Sequence, residues 1–162
     1  METASYINFA KHYSKDQFEK IKFNWNGKHG DEFSDTNNDF RKHLCESIKD
    51  NLQDYSLDLI TDLYLEESKC AKETFGVYLS FGKLAEALLI KGGIQSYLNY
   101  VEGAGKSMDT YISSGNMDLP KKLLEELIQY LESEAKEIQD KKFKTFLPRF
   151  QHMLKQKTNA NT

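Results

Sequence analysis

The chain of 162 residues is long enough for one domain that buries about 70% of its unfolded surface, and its apolar fraction of 39% excludes a disordered protein. Its net charge is −3, yet residues 141–162 hold six of the 22 basic residues and no acid, which leaves nine excess acids in residues 1–140. No apolar run approaches the ~20 residues of a membrane span, and no signal-peptide pattern opens the chain, so we expect a cytoplasmic protein.

The first half of the chain predicts two helices around an irregular region. A capping box in residues 14–17 starts a short helix. The alternation in residues 21–25 fits a strand as well as a helix end, and residues 22–38 have the composition of an irregular loop region. From Phe40 to Leu63, apolar residues recur every three or four positions, which predicts an amphipathic helix with Ser56 as a candidate break.

The second half continues with helical periodicity up to a short polar end. We expect the helix before Gly92-Gly93 to stop there, because glycine tolerates the left-handed conformation, and Pro148 to kink a helix or begin a new one. The predicted fold is all-α, a single compact domain of five or six helices over residues 1–157, with residues 158–162 as a flexible tail. The periodic stretches are residues 75–89, 94–101, 108–112, 119–135 and 143–154.

Residues Gly105-Lys106-Ser107 raise the question of a phosphate-binding loop. A P-loop needs a further glycine at position 100 and a buried strand before it, because the glycines let backbone N–H groups surround the phosphates. Tyr100 occupies that position, and the preceding residues have helical periodicity. We therefore expect these glycines to join two helices rather than to hold a nucleotide.

The sequence contains no complete catalytic or metal-binding motif. Its four histidines share no i,i+4 pair, and neither Cys45 nor Cys70 lies at ligand spacing from them. We expect buried thiols, no metal, no cofactor and no catalytic residue that can be named from sequence. Folding can still assemble polar groups from distant positions, so a small helical enzyme with a site between helices is the second hypothesis.

Six carboxylates fall at a strict spacing of four residues. On one continuous helix, positions four apart are separated by about 6 Å along the axis and by about 40° around it, so the carboxylates would form a slow spiral. Like charges at this spacing destabilise an isolated helix by a few tenths of a kcal/mol per pair, which requires a compensating role. We call these residues the acidic series: Glu46, Asp50, Asp54, Asp58, Asp62 and Glu66.

Two interpretations of the acidic series stay open at this point. It is either a solvated helix face or a docking surface for a basic partner, since charge governs the encounter rate and the choice of partner. Mimicry of duplex DNA fits less well, because one DNA strand carries a charge every ~3.4 Å, about twice the density of the series. In the docking interpretation the contact residues are Asp50, Asp54, Asp58, Asp62 and Glu66.

The carboxyl-terminal end combines basic and aromatic side chains. The pattern fits a packed terminal helix with a basic polar face, and it also allows nucleic-acid binding as a third hypothesis. The basic residues are Lys141, Lys142, Lys144, Arg149, Lys155 and Lys157, and the aromatic ones are Phe143, Phe146 and Phe150.

The stretch "KGGIQSYLNY" resembles the Asn-Gly-Gly-x-x-Gln-Tyr signature of a family of small all-helical proteins that includes DNA-mimic proteins and predicted immunity proteins of polymorphic toxin systems. Gly92, Gly93 and Tyr97 match, whereas Lys91 stands at the asparagine position and the glutamine comes one position early. The resemblance implies a helical protein that neutralises another protein, in which the double glycine is architectural.

The residues and the resemblance point to the same first hypothesis. We expect an immunity-type inhibitor whose acidic helical surface binds a cognate toxin or a nucleic-acid-binding protein. The expected partner is thus a basic protein, rather than a membrane or, directly, a nucleic acid.

Overall fold

The computed structural model describes residues 3–134 and 145–159, which fold into α-helices joined by short loops and 3₁₀ turns. The only β-type pairing in these ranges is an isolated bridge between Trp25 and Asp35. The all-α fold is therefore confirmed, with more and shorter helices than the five or six expected. The eight helices within the described residues are α1 Thr3–Lys11, α2 Asn38–Ile48, α3 Leu57–Thr74, α4 Phe81–Gly92, α5 Tyr97–Ala104, α6 Met108–Ser113, α7 Lys121–Glu134 and α8 Leu147–Asn159.

Helix α3 lies at the centre of the fold and packs against α2, α4, α5 and α6. Its side chain Tyr64 is fully buried and stacks on Phe81 of α4, with 4.7 Å between the ring centroids. Gly103 allows α5 to approach on the other side, because a Cβ at this position would overlap the Tyr64 ring. The tyrosine hydroxyl also donates to the carbonyl of Tyr100 at 3.0 Å, so one side chain connects three helices.

The amino-terminal segment wraps α2 and α3 without adding a long helix of its own. Helix α1 packs on α2, and a 3₁₀ helix, Lys15–Lys20, follows the expected N-cap residue Ser14. Ile21 ends this turn and is fully buried. Residues 22–37 connect this turn to α2 and contain a second 3₁₀ turn at Gly30–Glu32, whereas Asn38, the last residue of the expected loop region, begins α2.

The expectation of one helix from Phe40 to Leu63 is wrong. Helix α2 ends at Ile48, a 3₁₀ turn spans Leu52–Asp54, and α3 begins only at Leu57. The chain leaves the helical conformation at Asn51, which has a φ of −134° and a ψ of +36°, and asparagine is a weak helix former. The turn that follows still buries Leu52 and Tyr55 in the core. Ser56, the candidate break, is the N-cap of α3, where its side chain accepts a hydrogen bond from the Leu59 N–H at 3.2 Å.

The double glycine ends α4 for two reasons: Gly93 adopts a positive φ, and Gly92 lies too close to the next turn for a side chain. Gly93 has a φ of +54°. A Cβ on Gly92 would overlap the side chain of Ser96 in the following 3₁₀ turn. The chain then turns directly into α5, where the side chain of Tyr97 is fully buried.

The prediction that Gly105-Lys106-Ser107 joins two helices is confirmed. Gly105 is the C-cap of α5, and Ser107 is the N-cap of α6. The Ser107 hydroxyl accepts a hydrogen bond from the Thr110 N–H at 3.2 Å, in a reciprocal capping box. The serine is thus engaged by the backbone of the helix that it starts.

The last two described helices pack against each other and close the core. Pro148 lies in the first turn of α8, where its missing N–H costs nothing, so it begins a new helix. Leu124, Leu127 and Leu131 supply the buried stripe of α7. Helix α8 extends to Asn159, so residues 158 and 159 of the expected tail are helical. Residues 160–162, Ala135, Lys141, Lys142, Phe143 and Lys144 lie outside the described residues.

Candidate partner-binding surface

The break between α2 and α3 divides the acidic series between the surface and the interior. Asp62 is only 8% exposed and accepts hydrogen bonds from the Tyr13 hydroxyl at 2.6 Å and the Lys15 ammonium at 2.7 Å. Glu66 is 2% exposed and accepts from the Phe23 N–H at 2.8 Å. Contrary to the expected exposed row, these two carboxylates hold residues 13–23 on α3.

The first four carboxylates of the series remain exposed. Glu46 accepts from Lys49 and from the Tyr78 hydroxyl, both at 2.7 Å, and these hydrogen bonds lower the pKa of Glu46. Asp50 pairs with Lys83 of α4 at 2.8 Å, and this contact lowers the pKa of Asp50. Asp54 and Asp58 are exposed and make no ion pair with another described residue.

The segment between α3 and α4 is a loop, here called the 75–80 loop, that presents two large apolar side chains to solvent. Phe75 is 84% exposed and Leu79 is 98% exposed. The sequence pattern placed Phe75 in a helix with Phe81, which is wrong, because α3 ends at Thr74 and Phe75 takes the left-handed conformation with a φ of +52°. This conformation turns the chain away from the axis of α3.

Tyr78 attaches the 75–80 loop to the acidic end of α2. Its hydroxyl donates to Glu46, and its carbonyl accepts from the Phe81 N–H at 2.9 Å, which fixes the start of α4. Burial, followed by the hydrogen bond to Glu46, raises the pKa of Tyr78 above its usual range. The exposed Leu79 thus follows directly after a residue that is bonded to Glu46 of the acidic series.

A cavity of about 420 Å³ lies under the 75–80 loop, between α2 and α3. We call it the loop cavity. Its walls are mixed in polarity, and the loop itself supplies one side. The residues that line it include Phe33, Glu67, Cys70, Ala71, Val77 and Tyr78.

One wall of the loop cavity belongs to a buried charge cluster. The Arg41 guanidinium donates through Nε to Glu67 Oε1 and through Nη2 to Asp35 Oδ2, both at 2.7 Å. Burial opposes the charge of Arg41, but the two carboxylates outweigh it and raise the pKa of Arg41. Burial likewise raises the pKa of Glu67, although Arg41 acts in the opposite direction. The cluster thus holds one cation and two carboxyl groups.

No family model, curated protein or solved structure matches this chain. The resemblance of its double-glycine stretch to the family of helical DNA-mimic and immunity proteins therefore stays a prediction from the sequence. Within residues 3–134 and 145–159, none of the helices is both long and apolar enough to cross a membrane.

The basic end of the chain is partly used inside the fold. Arg149 donates to the Tyr100 hydroxyl and to the Tyr111 carbonyl, both at 2.7 Å, and its guanidinium stacks over the Tyr111 ring. Lys157 pairs with Asp118, which precedes α7. These contacts attach α8 to the rest of the fold. Arg149 and Lys157, two of the basic residues noted in the sequence, thus have a structural role.

Sequence reasoning missed the residues that define this surface, although weak signals were present. Arg41 stands three residues before Leu44 and seven before Ile48, on the apolar stripe of α2, and a charge on a buried stripe indicates a buried partner. Gly76 interrupts the periodicity after Phe75 and indicates a loop. No local signal shows that Asp62 faces Tyr13, because the two are 49 residues apart in the chain.

Proposed function

We propose that this protein is an immunity-type inhibitor that binds a basic protein partner through the surface around the 75–80 loop. The observation that carries the proposal is the exposure of Phe75 and Leu79 in a loop that Tyr78 attaches to the exposed carboxylate of Glu46. Protruding apolar side chains ringed by charge are typical of protein contact sites. The acidic surroundings favour a basic partner, such as a toxin or a nucleic-acid-binding protein.

The backbone of the 75–80 loop supports a role in recognition. A left-handed conformation costs a bulky residue about 1 kcal/mol or more, and the exposed ring of Phe75 recovers little of it by burial. Glycine at this position would avoid the cost. A strained aromatic residue that points into solvent is best explained by a contact outside the molecule.

The exposed carboxylates extend the acidic surroundings away from the 75–80 loop. Asp54, in the turn before α3, and Asp58, in the first turn of α3, are exposed as well. Asp62 and Glu66 do not share this role, because they bind the amino-terminal segment. Exposed charges of one sign speed the encounter with an oppositely charged protein and make it sensitive to salt.

The experiment that tests the proposal is affinity capture of the tagged full chain from its native cell lysate at low salt. A double variant, Phe75→Ser with Leu79→Ser, is compared with the wild type. The matched control is Met108→Ser with Ile112→Ser, which removes two exposed apolar side chains from α6 instead. We expect the wild type and the control to retain the same basic protein, and the loop variant to retain at least about tenfold less.

Equal retention of that partner by the loop variant would contradict the proposal. So would a partner that the loop variant loses but that carries a net negative charge, because the surface would then repel it. Circular dichroism of each variant confirms that a loss of binding does not come from unfolding.

A further inference from the structure

The buried charge cluster beside the loop cavity contains one basic group, Arg41, and two acidic groups, Asp35 and Glu67. Both oxygens of Asp35 are fully engaged: Oδ2 accepts from Arg41, and Oδ1 accepts from the backbone N–H groups of Asn24 at 3.0 Å and Asn37 at 3.1 Å. All three guanidinium nitrogens of Arg41 donate hydrogen bonds: Nε to Glu67, Nη2 to Asp35, and Nη1 to the carbonyl of Lys22 at 3.3 Å. One cation thus serves two carboxyl groups, and Glu67 is the less completely bonded of the two.

The second oxygen of Glu67 is open towards the loop cavity. Glu67 Oε1 accepts from Arg41, whereas Oε2 accepts no hydrogen bond from any described residue. Every fully buried polar side-chain atom in the described residues has a hydrogen-bond partner. Because Oε2 has none, it is accessible, and we place this access on the side of the loop cavity, which Glu67 lines. The residue as a whole is only 4% exposed, which makes this oxygen a nearly dry acceptor.

The walls of the loop cavity suit a long side chain that has an apolar stem and a charged tip. Val77 and Ala71 provide aliphatic surface, and the rings of Phe33 and Tyr78 provide aromatic surface near Glu67. Lysine and arginine bury their methylene stems against such surfaces, and their cationic tips are attracted to aromatic faces. The volume of about 420 Å³ leaves room for one such side chain.

We infer that the loop cavity receives one lysine or arginine side chain of the basic partner, whose ammonium or guanidinium group donates to Glu67 Oε2. The inference rests on the proposed function, and it names the part of the partner that enters the molecule. Charge-assisted hydrogen bonds of this kind are among the stronger polar contacts, and they gain strength where water is excluded. Phe75 and Leu79, which belong to the loop that forms one side of the cavity, then contact the partner surface near the inserted side chain.

Lys42 is the one cation of the described lining that opposes this arrangement. It is exposed, it makes no ion pair with a described residue, and its charge lowers the pKa of Glu67. Because its ammonium competes with an incoming cation, its removal is expected to strengthen the site. Replacing Lys42 is therefore expected to increase the affinity of the cavity for a cation, whereas the other substitutions in the cavity are expected to reduce it.

The test uses small cations in place of the unidentified partner. The full chain is titrated with butylammonium and with propylguanidinium, which reproduce the ends of lysine and arginine, and with neutral propylurea. Backbone amide shifts are followed by NMR. We expect saturable shifts confined to residues 67–78 and the neighbouring Phe33 for the cations, and none that saturate for propylurea.

Four variants decide the assignment. Glu67→Gln keeps the shape and the contact to Arg41 but removes the charge, and we expect cation affinity to fall about tenfold. Lys42→Gln is expected to raise it several-fold. Gly76→Leu adds bulk to the cavity lining at a position where a Cβ meets nothing closer than the Thr74 carbonyl at 4.0 Å. We expect it to lower cation affinity as well, and it covers the case that Glu67→Gln fails to fold. Glu126→Gln, an exposed carboxylate of α7, is the matched control and should change nothing.

Failure of the inference is distinguishable from failure of the proposed function. Shifts that are spread over exposed carboxylates, or that are equal for propylurea, or that survive both Glu67→Gln and Gly76→Leu, would overturn the inference. If a basic partner is captured through Phe75 and Leu79 but binds Gly76→Leu and Glu67→Gln as tightly as the wild type, the insertion is wrong and the binding function stands.

Discussion

At the scale of single residues, Arg41 is the residue on which the interior between α2 and α3 depends. Its side chain is fully buried and is the cation that both Asp35 and Glu67 contact. A buried ion pair adds little stability by itself, but removing one partner leaves an uncompensated charge in a poorly solvating site. We therefore expect the fold to depend on Arg41, which also holds Glu67 in the wall of the loop cavity.

Replacing Arg41 with methionine is expected to lower the free energy of unfolding by about 3–5 kcal/mol, because two carboxyl groups lose their cation inside the protein. Urea denaturation followed by circular dichroism measures the change. The control is Lys72→Met, which removes an exposed partner of Glu73 and should cost at most about 1 kcal/mol. A loss below 1 kcal/mol for Arg41→Met would show that the cluster is solvated.

Phe75 is predicted to trade stability for recognition. Phe75→Gly is expected to raise the free energy of unfolding by about 1 kcal/mol, because glycine takes a positive φ without strain and the exposed ring loses little burial. At Leu79, where φ is negative, the same change should lower stability by up to about 1 kcal/mol. If both substitutions shift the unfolding midpoint in the same direction, the left-handed strain at Phe75 is not a significant cost.

At the scale of elements, α3 organises the molecule because its faces have different partners. One face packs through Tyr64 on α4 and α5, and another presents Asp62 and Glu66 to the amino-terminal segment. The third presents Glu67 to Arg41 of α2. A helix with so many buried polar groups is stable only because the amino-terminal segment and Arg41 of α2 supply the donors.

The close contact between α3 and α5 gives a prediction at the same scale. Gly103→Ala is expected to lower the free energy of unfolding by about 1–3 kcal/mol, because the new methyl group overlaps the Tyr64 ring and forces the helices apart. Thermal or urea unfolding measures it. Gly76→Ala is the control and should stay within about 0.5 kcal/mol of the wild type; a Gly103→Ala protein of unchanged stability would contradict the packing described.

The helices also show which parts of this fold can be predicted from the local sequence pattern and which cannot. Periodicity identified α4, α7 and the start of α3 at Ser56, since each has a clear stripe or cap. It joined Phe75 to Phe81, because three-residue spacing continued across a loop by coincidence. The candidate surface was only half predictable: the exposed Asp54 and Asp58 follow from composition, but the burial of Asp62 depends on a partner that is distant in the sequence.

At the scale of the whole molecule, the burial of tyrosine side chains makes the stability of the fold depend on pH in the alkaline range. Burial raises the pKa of five tyrosines, that of Tyr100 to about 12. The other four are Tyr13, Tyr64, Tyr78 and Tyr97. A pKa that is higher in the folded state contributes stability in full below the unfolded value near 10, and this contribution is lost as the pH rises above it.

We therefore expect the stability of the protein to fall as the pH rises above about 10. The tyrosinate absorbance of these five side chains should appear together with the loss of helical circular dichroism in a spectrophotometric titration. Ionisation of all nine tyrosines in a protein that keeps its helices would contradict the burial of this core.

The measurement that tests the central claim most directly is the dissociation constant of the captured, purified partner over a range of salt concentrations. It is measured for the wild type and for a variant in which Glu46, Asp50, Asp54 and Asp58 are replaced by their amides. The account predicts tight, salt-sensitive binding to the wild type, and weaker binding with a flatter salt dependence for the variant. Equal dissociation constants for the two proteins at every salt concentration would contradict an acidic docking surface.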